Sequence, residues 1–189
     1  MFCNRCQCDE GWPFLMAGNE ILIRRAEPED ALAVARVHIR SWQVAYRGLI
    51  ADEYLDGLRA EERAAQYDFS NSDPLEPYTD VVVEGGTIVG FASTTRSRDL
   101  DTSDEGELAA LYVDPEYWGR GIGVELISAG REHLLGLGFR SAILWVLAGN
   151  VRADRFYRLD GWVPDGVVRS QSIWGLTLDE VRYRRGLSD

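Results

Sequence analysis

The spacing of apolar positions changes several times along this chain. Residues 21–27, ILIRRAE, have an apolar start followed by alternation, which predicts a strand. PEDALAVARVHIRSW then opens on a proline and two acids, a pattern of helix entry. Its Leu32, Ala35, Val37 and Ile39 recur roughly at helical spacing. VAYRGLIADEYLDGL continues as a helix broken at Gly48, and RAEERAAQYDF reads as another short helix. SNSDPLEPYT, with two prolines among polar residues, reads as a loop.

Strand-like sequence follows. DVVVEGGTIVGFASTTR holds two apolar runs around Gly85-Gly86, a hairpin pattern. A charged loop, SRDLDTSDEG, leads to ELAALYV, a further strand. Helical sequence runs from about Gly121 to Gly136, and SAILWVLA (141–148) reads as a buried strand. NVRADRFYRLDG starts with a capping residue, Asn150, and ends at Gly161. WVPDG and LDEVRYRRGL supply the last strands. The order is strand, two to three helices, three strands, helix, strand, helix, strand. This is a mixed α/β domain of the α+β type with antiparallel middle strands. It is not the regular alternation of a doubly wound fold.

The length, 189 residues, suits one domain, and 46% hydrophobic residues are enough for a substantial core. Net charge is −11, which disfavours nucleic acid and weakly favours cationic substrates. Its simpler consequence is a self-repelling soluble surface. No apolar run approaches the ~20 residues of a membrane helix. The N-terminal segment has the wrong length and flanks for a signal peptide, so a cytoplasmic protein is expected. Cys3, Cys6 and Cys8 form C-x-x-C-x-C, but no fourth cysteine exists, and His38 and His133 sit in predicted helices. No metal site is therefore expected. Patterned sequence begins at Ile21, so residues 1–20 read as a disordered leader, with Met16 a candidate start, and 21–186 as the domain.

DPEYWGRGIGVELI joins the ELAALYV strand to the next helix and carries Gly119, Gly121 and Gly123. A strand that delivers such a turn to a helix start makes an anion site. The first helical amides lack partners, and glycines let backbone approach phosphate oxygens. Arg120 adds a charge. The P-loop pattern fails for want of Gly-Lys. The G-x-G-x-x-G fingerprint also fails, because the sixth position is Val124 or Leu126. The pattern R/Q-x-x-G-x-G/A matches at Gly121-Ile122-Gly123, with Trp118 in the first position.

That last pattern is the pyrophosphate loop of the GNAT acetyltransferase superfamily, and the chain resembles that family over about residues 21–185. IRRAEPEDALAVARVHIRSWQVAYRGLIADEYL looks like its opening strand and paired helices. GELAALYVDPEYWGRGIGVELI looks like its central strand, loop and helix. LWVLAGNVRADRFYRLDGW is similar to its N-x-x-A-x-x-F-Y-x-x-x-G-[FW] segment, with Asn150, Ala153, Phe156, Tyr157, Gly161 and Trp162 in place. The resemblance implies a single-domain, mostly antiparallel central sheet flanked by helices and splayed at its middle strands. It implies an N-acetyltransferase with acetyl-CoA as cosubstrate and a primary amine, of a small molecule or of a peptide or protein, as acceptor. Homodimers are frequent in that family.

The resemblance also implies roles. Gly119, Arg120, Gly121, Ile122, Gly123 and Val124, with Trp118, would hold the pyrophosphate. Leu111, Tyr112 and Val113 would offer backbone to the pantetheine arm as an added strand. The Val113 N–H would polarise the thioester carbonyl. Glu107, six residues before Val113, would be the general base, with Asp104 and Glu105 as alternatives nearby. A strand-end acid facing water is an equal reading of Glu107. Tyr157 would protonate the leaving thiolate, or else serve as a core aromatic beside Phe156. Asn150 would contact the pantetheine arm, although a helix cap alone explains it. Trp42 and Tyr46, spaced i, i+4, would flank the acceptor, and helix packing explains them too. The alternative functions are a non-catalytic acyl-CoA-binding module of the same fold and an interaction domain that binds no CoA.

Overall fold

A computed structural model describes residues 21–71, 73 and 76–187. The segment that holds the three cysteines and the expected leader lies outside the described residues. Seven strands form one sheet: β1 (Ile21–Arg25), β2 (Tyr78–Glu84), β3 (Thr87–Arg96), β4 (Gly106–Val113), β5 (Ser141–Leu147), β6 (Val163–Ile173) and β7 (Leu176–Gly186). Five α-helices accompany them: α1 (Ala31–Ala45), α2 (Asp52–Gly57), α3 (Ala60–Ala64), α4 (Ile122–Gly136) and α5 (Val151–Leu159). The spatial order is β1-β2-β3-β4-β5-β7-β6. Every neighbouring pair is antiparallel except β4 and β5. No helix among the described residues is long and apolar enough to cross a membrane.

The sheet is covered on both faces, and alternation along the strands decides which residue goes where. Val82 and Ala92 turn to the face carrying α4, where they pack with Leu126, Ile127 and Leu134. Their neighbours Val81 and Phe91 turn to the opposite face and meet Val34 and Val37 of α1. The buried stripe of α1 runs through Val34, Val37, His38, Ser41 and Trp42, the spacing of one helical face. Two polar residues therefore sit on a stripe otherwise built for the core.

Strands β4 and β5 are the exception that makes the cleft. They pair only at Gly106↔Ala142 and Glu107↔Ile143. Beyond Glu107, β4 stays with β3 as far as Gly90↔Val113, while β5 stays with β7 through Leu147↔Glu180. The sheet thus opens as a wedge from Leu108 and Leu144 onward, the splay that the family resemblance implies.

One element differs from expectation. The sequence predicts a short strand at WVPDG, yet β6 runs 11 residues to Ile173 and turns into β7 through Trp174 and Gly175. Its side chains are almost all exposed, so no hydrophobic alternation marked it. Backbone pairing to β7 holds it instead.

Candidate active site

The wedge forms the floor of a cleft of about 880 Å³. At one end β4 passes Asp114 and a short 3-10 turn into the glycine-rich segment and α4. Gly119 and Gly121 have φ of +76° and +85°, a region L side chains avoid, and a side chain at either would meet nothing within 4 Å. Gly121 caps α4 and accepts from Val124 N–H at 2.8 Å and Glu125 N–H at 3.2 Å. The N–H groups of Gly121, Ile122 and Gly123 find no partner among the described residues. Open space over left-handed glycines, beside unpartnered amides at a helix start, fits a phosphate group. Gly123 serves a different end: a β-carbon there would touch the Phe156 ring at 3.4 Å. It lets α4 approach α5.

Trp118 and Arg120 are placed differently from one another. The Trp118 indole N–H donates to Val113 O at 2.7 Å, and the Arg152 guanidinium lies 3.8 Å above its ring. Both residues line the cleft. Arg120 turns away, pairing with Glu84 through two hydrogen bonds of 2.9 and 3.1 Å, and does not line the cleft. Its side chain is a strut between the glycine turn and β2, not part of the cradle.

The exposed edge of β4 comprises Leu111, Tyr112 and Val113. Asp114 N–H donates to Val89 O on β3. Strand alternation then turns the Val113 N–H and C=O to the other side, toward the wedge. The Val113 carbonyl is already committed, since it accepts from both Ser41 Oγ (2.9 Å) and Trp118 Nε1. The N–H is the group left to face the opening.

Glu107 lines the cleft where the wedge begins and is 7% exposed. Burial pushes its carboxyl above the usual range, against the pull of Arg98 and Arg169. Of the nearby acids, Glu105 is bound to Arg184 at 2.8 Å, and neither it nor Asp104 lines the cleft. Glu180 lines the cleft but is held by Arg169 at 2.9 Å.

Helix α5 supplies the opposite wall. Asn150 caps it by accepting from Ala153 N–H at 3.1 Å and also lines the cleft. Tyr157 faces the cleft, and burial holds its hydroxyl well above the usual tyrosine range, so it stays protonated. Its ring packs against Phe156 and Trp162, and the Trp162 indole is fully buried. The Tyr157 ring is thus part of the core, and the residue borders the cleft.

At the far end, Trp42 and Tyr46 border the cleft while packing in a buried cluster with Ile50 and Leu55. Trp42 stacks on Trp174, the β6–β7 turn residue, at 4.0 Å. Its indole N–H donates to Tyr112 Oη at 3.1 Å. Sequence reasoning did not single out His38, Ser41, Arg63, Arg152 or Trp174 as site residues. A usable signal existed for the first two, which are polar positions on the apolar stripe of α1.

Fold and cleft together make a split sheet whose opening ends at a glycine-rich helix start. Residues 38–162 match the Acetyltransferase (GNAT) family. The uncharacterized N-acetyltransferase YuaI of Bacillus subtilis is 33% identical over 162 residues, 85% of this chain and 90% of that one. The spermidine N(1)-acetyltransferase of Thermoplasma acidophilum is 24% identical over 146 residues, 75% and 88% of the two chains. The solved structure of PaiA N-acetyltransferase from T. acidophilum in complex with coenzyme A shares the fold, with a TM-score of 0.67 at 21% identity over 88% of this chain and 99% of that one. The chain belongs to the GNAT acetyltransferase family. By that membership it is an N-acetyltransferase.

Proposed function

We propose that this enzyme acetylates a primary amine by direct attack on the thioester, with Glu107 as base and Tyr157 as acid. The observation that carries the reading is the gathering of both side chains, the free β4 edge and the glycine turn on one cleft. Acetyl-CoA supplies an activated acyl group and a thiolate leaving group. The amides of Gly121, Ile122 and Gly123 hold its pyrophosphate, and the edge of Leu111 to Val113 receives the pantetheine arm. Val113 N–H stabilises charge on the carbonyl oxygen as the amine adds.

An alkylamine at pH 7 is only about one part in 10³ neutral, so the reaction needs a proton acceptor. Glu107 takes that proton, directly or through water, and its raised carboxyl makes it a better base than an exposed glutamate. Tyr157 keeps its proton until the sulfur leaves and then donates it. Calorimetry with acetyl-CoA tests the donor site. Free-thiol release across an amine panel tests the chemistry. Binding without release by any amine would favour a non-catalytic acyl-CoA module.

A further inference from the structure

Five arginines and two glutamates line the cleft, in a chain of net charge −11. Arg152, on α5, lies over Trp118 beside the glycine turn, where an anionic donor accounts for it. Arg63 lies elsewhere, on α3, and the donor does not explain it. Its guanidinium is sandwiched 4.8 Å from the Tyr67 ring and 4.6 Å from the Trp174 ring. Its Nη1 donates to Gln66 Oε1 at a long 3.5 Å, its Nε is buried without a partner, and no carboxylate pairs with it among the described residues. Other arginines of this acidic chain pair readily, Arg182 with three aspartates.

A second side chain with an unpartnered nitrogen lines the same end. His38 is 5% exposed and packs against Tyr112 at 4.1 Å and Trp174 at 4.8 Å. Its Nδ1 lies 2.6 Å from Tyr67 Oη, while Nε2 is buried without a partner. Burial keeps the imidazole neutral and raises the Tyr67 hydroxyl to about 12, so Tyr67 remains a donor. Tyr67 O–H donating to Nδ1 leaves the ring proton on Nε2. Two buried N–H donors, one of them cationic, thus border a box walled by aromatic rings.

We infer that the acceptor is an amine that also carries a carboxylate, bound by Arg63 and His38, with an apolar or aromatic side chain against Trp42, Tyr112 and Trp174. This rests on the acetyltransferase reading above. It reverses the weak preference for cationic substrates drawn from net charge. A polyamine would need a second free carboxylate, yet Glu180 is occupied by Arg169, and Arg63 would repel the extra cation. Planar guanidinium held between rings presents its remaining donors in the geometry a carboxylate takes.

The test compares acceptors that differ only in the carboxylate: phenylalanine against phenethylamine and tryptophan against tryptamine, with spermidine as the polyamine. Free-thiol release gives kcat/KM for each. The expected result is a preference of ~30-fold or more for the acids, about the scale of one charge-assisted contact. In Arg63→Gln that preference should collapse, through KM of the acids, while Arg63→Lys restores part of it. Acetyl-CoA affinity, measured by calorimetry, should be unchanged in both and reports that they are folded. Titrating N-acetylphenylalanine into the parent should give binding that Arg63→Gln loses. Equal or better turnover of the decarboxylated amines or spermidine, a preference intact in Arg63→Gln, or acetyl-CoA binding with no binding of the acids overturns this inference alone. Failure of the parent to bind acetyl-CoA overturns the donor reading, and this inference with it.

Discussion

Tyr157 can be separated from its packing by a single oxygen. Tyr157→Phe keeps the ring against Phe156 and Trp162, so stability and acetyl-CoA affinity should hold. Turnover should fall ~10²-fold, the usual scale for a lost general acid. Steady-state thiol release and calorimetry on the same sample check both halves. Glu107→Gln should lower the rate most at neutral pH and below, with partial recovery as the free amine becomes abundant at high pH. The same substitution has an opposite effect on stability. A carboxyl raised on folding favours the folded state below its unfolded pKa, and that contribution is lost as pH rises through the folded value. Glu107→Gln should therefore match the parent in acid and be the more stable protein at pH 7, as melting curves across pH would report. A melting temperature below the parent's at pH 7 would contradict the burial argument. At this scale the sequence was informative where a motif fixed the position, as for Asn150, Tyr157 and Gly121. It was silent on Arg63, because nothing local tells a charged residue on a five-residue helix from an ordinary surface one. Only the return of Trp174 from more than a hundred residues away gives Arg63 its second ring.

Among the elements, the glycine turn is the most exacting. Gly121→Val should weaken acetyl-CoA binding at least tenfold. The cause is backbone conformation, since left-handed φ costs an L residue ~1–2 kcal/mol and the turn will relax away from it. Arg120→Ala should cost less affinity, its guanidinium being spent on Glu84. Calorimetric Kd values for the pair decide the order. A second element-scale device is Arg182 of β7, almost fully buried, which joins Asp99 and Asp101 of the loop after β3 to Asp165 of β6. Arg182→Leu leaves those carboxylates without their shared cation and should cost on the order of 3 kcal/mol. At this chain length that lowers the melting temperature by roughly 2–4 °C per kcal/mol. Helix α4 and the β2–β3 hairpin were legible because turn chemistry and apolar period agreed there. Most of β6 was not, because PDGVVRSQS has no apolar period and opens on a turn-like Pro-Asp-Gly where the pairing register shifts, so its strand form depends on β7.

For the whole molecule, residue order alone pointed to a mixed α/β domain with antiparallel middle strands, and the family likeness supplied the split. What remained out of reach was the closing of the acceptor end, where α1, α3 and the β6–β7 turn meet. The split itself has a mechanical consequence. Backbone pairing joins β1 through β4 to β5 through β7 at only two residue pairs, Gly106↔Ala142 and Glu107↔Ile143. Without a donor in place, the two halves of the sheet are coupled mainly by side-chain packing, and should open as separate units in native-state hydrogen exchange. A donor that lies in the wedge acts as a missing strand. At a hundredfold excess over its Kd it adds ~2.7 kcal/mol to global stability. It should also slow exchange most at the amides along the wedge, Leu111 to Val113 on one side and Trp145 to Leu147 on the other, merging two opening reactions into one. The cosubstrate would then be a seam of the folded enzyme as well as its reagent, and each turnover would loosen that seam when the product leaves.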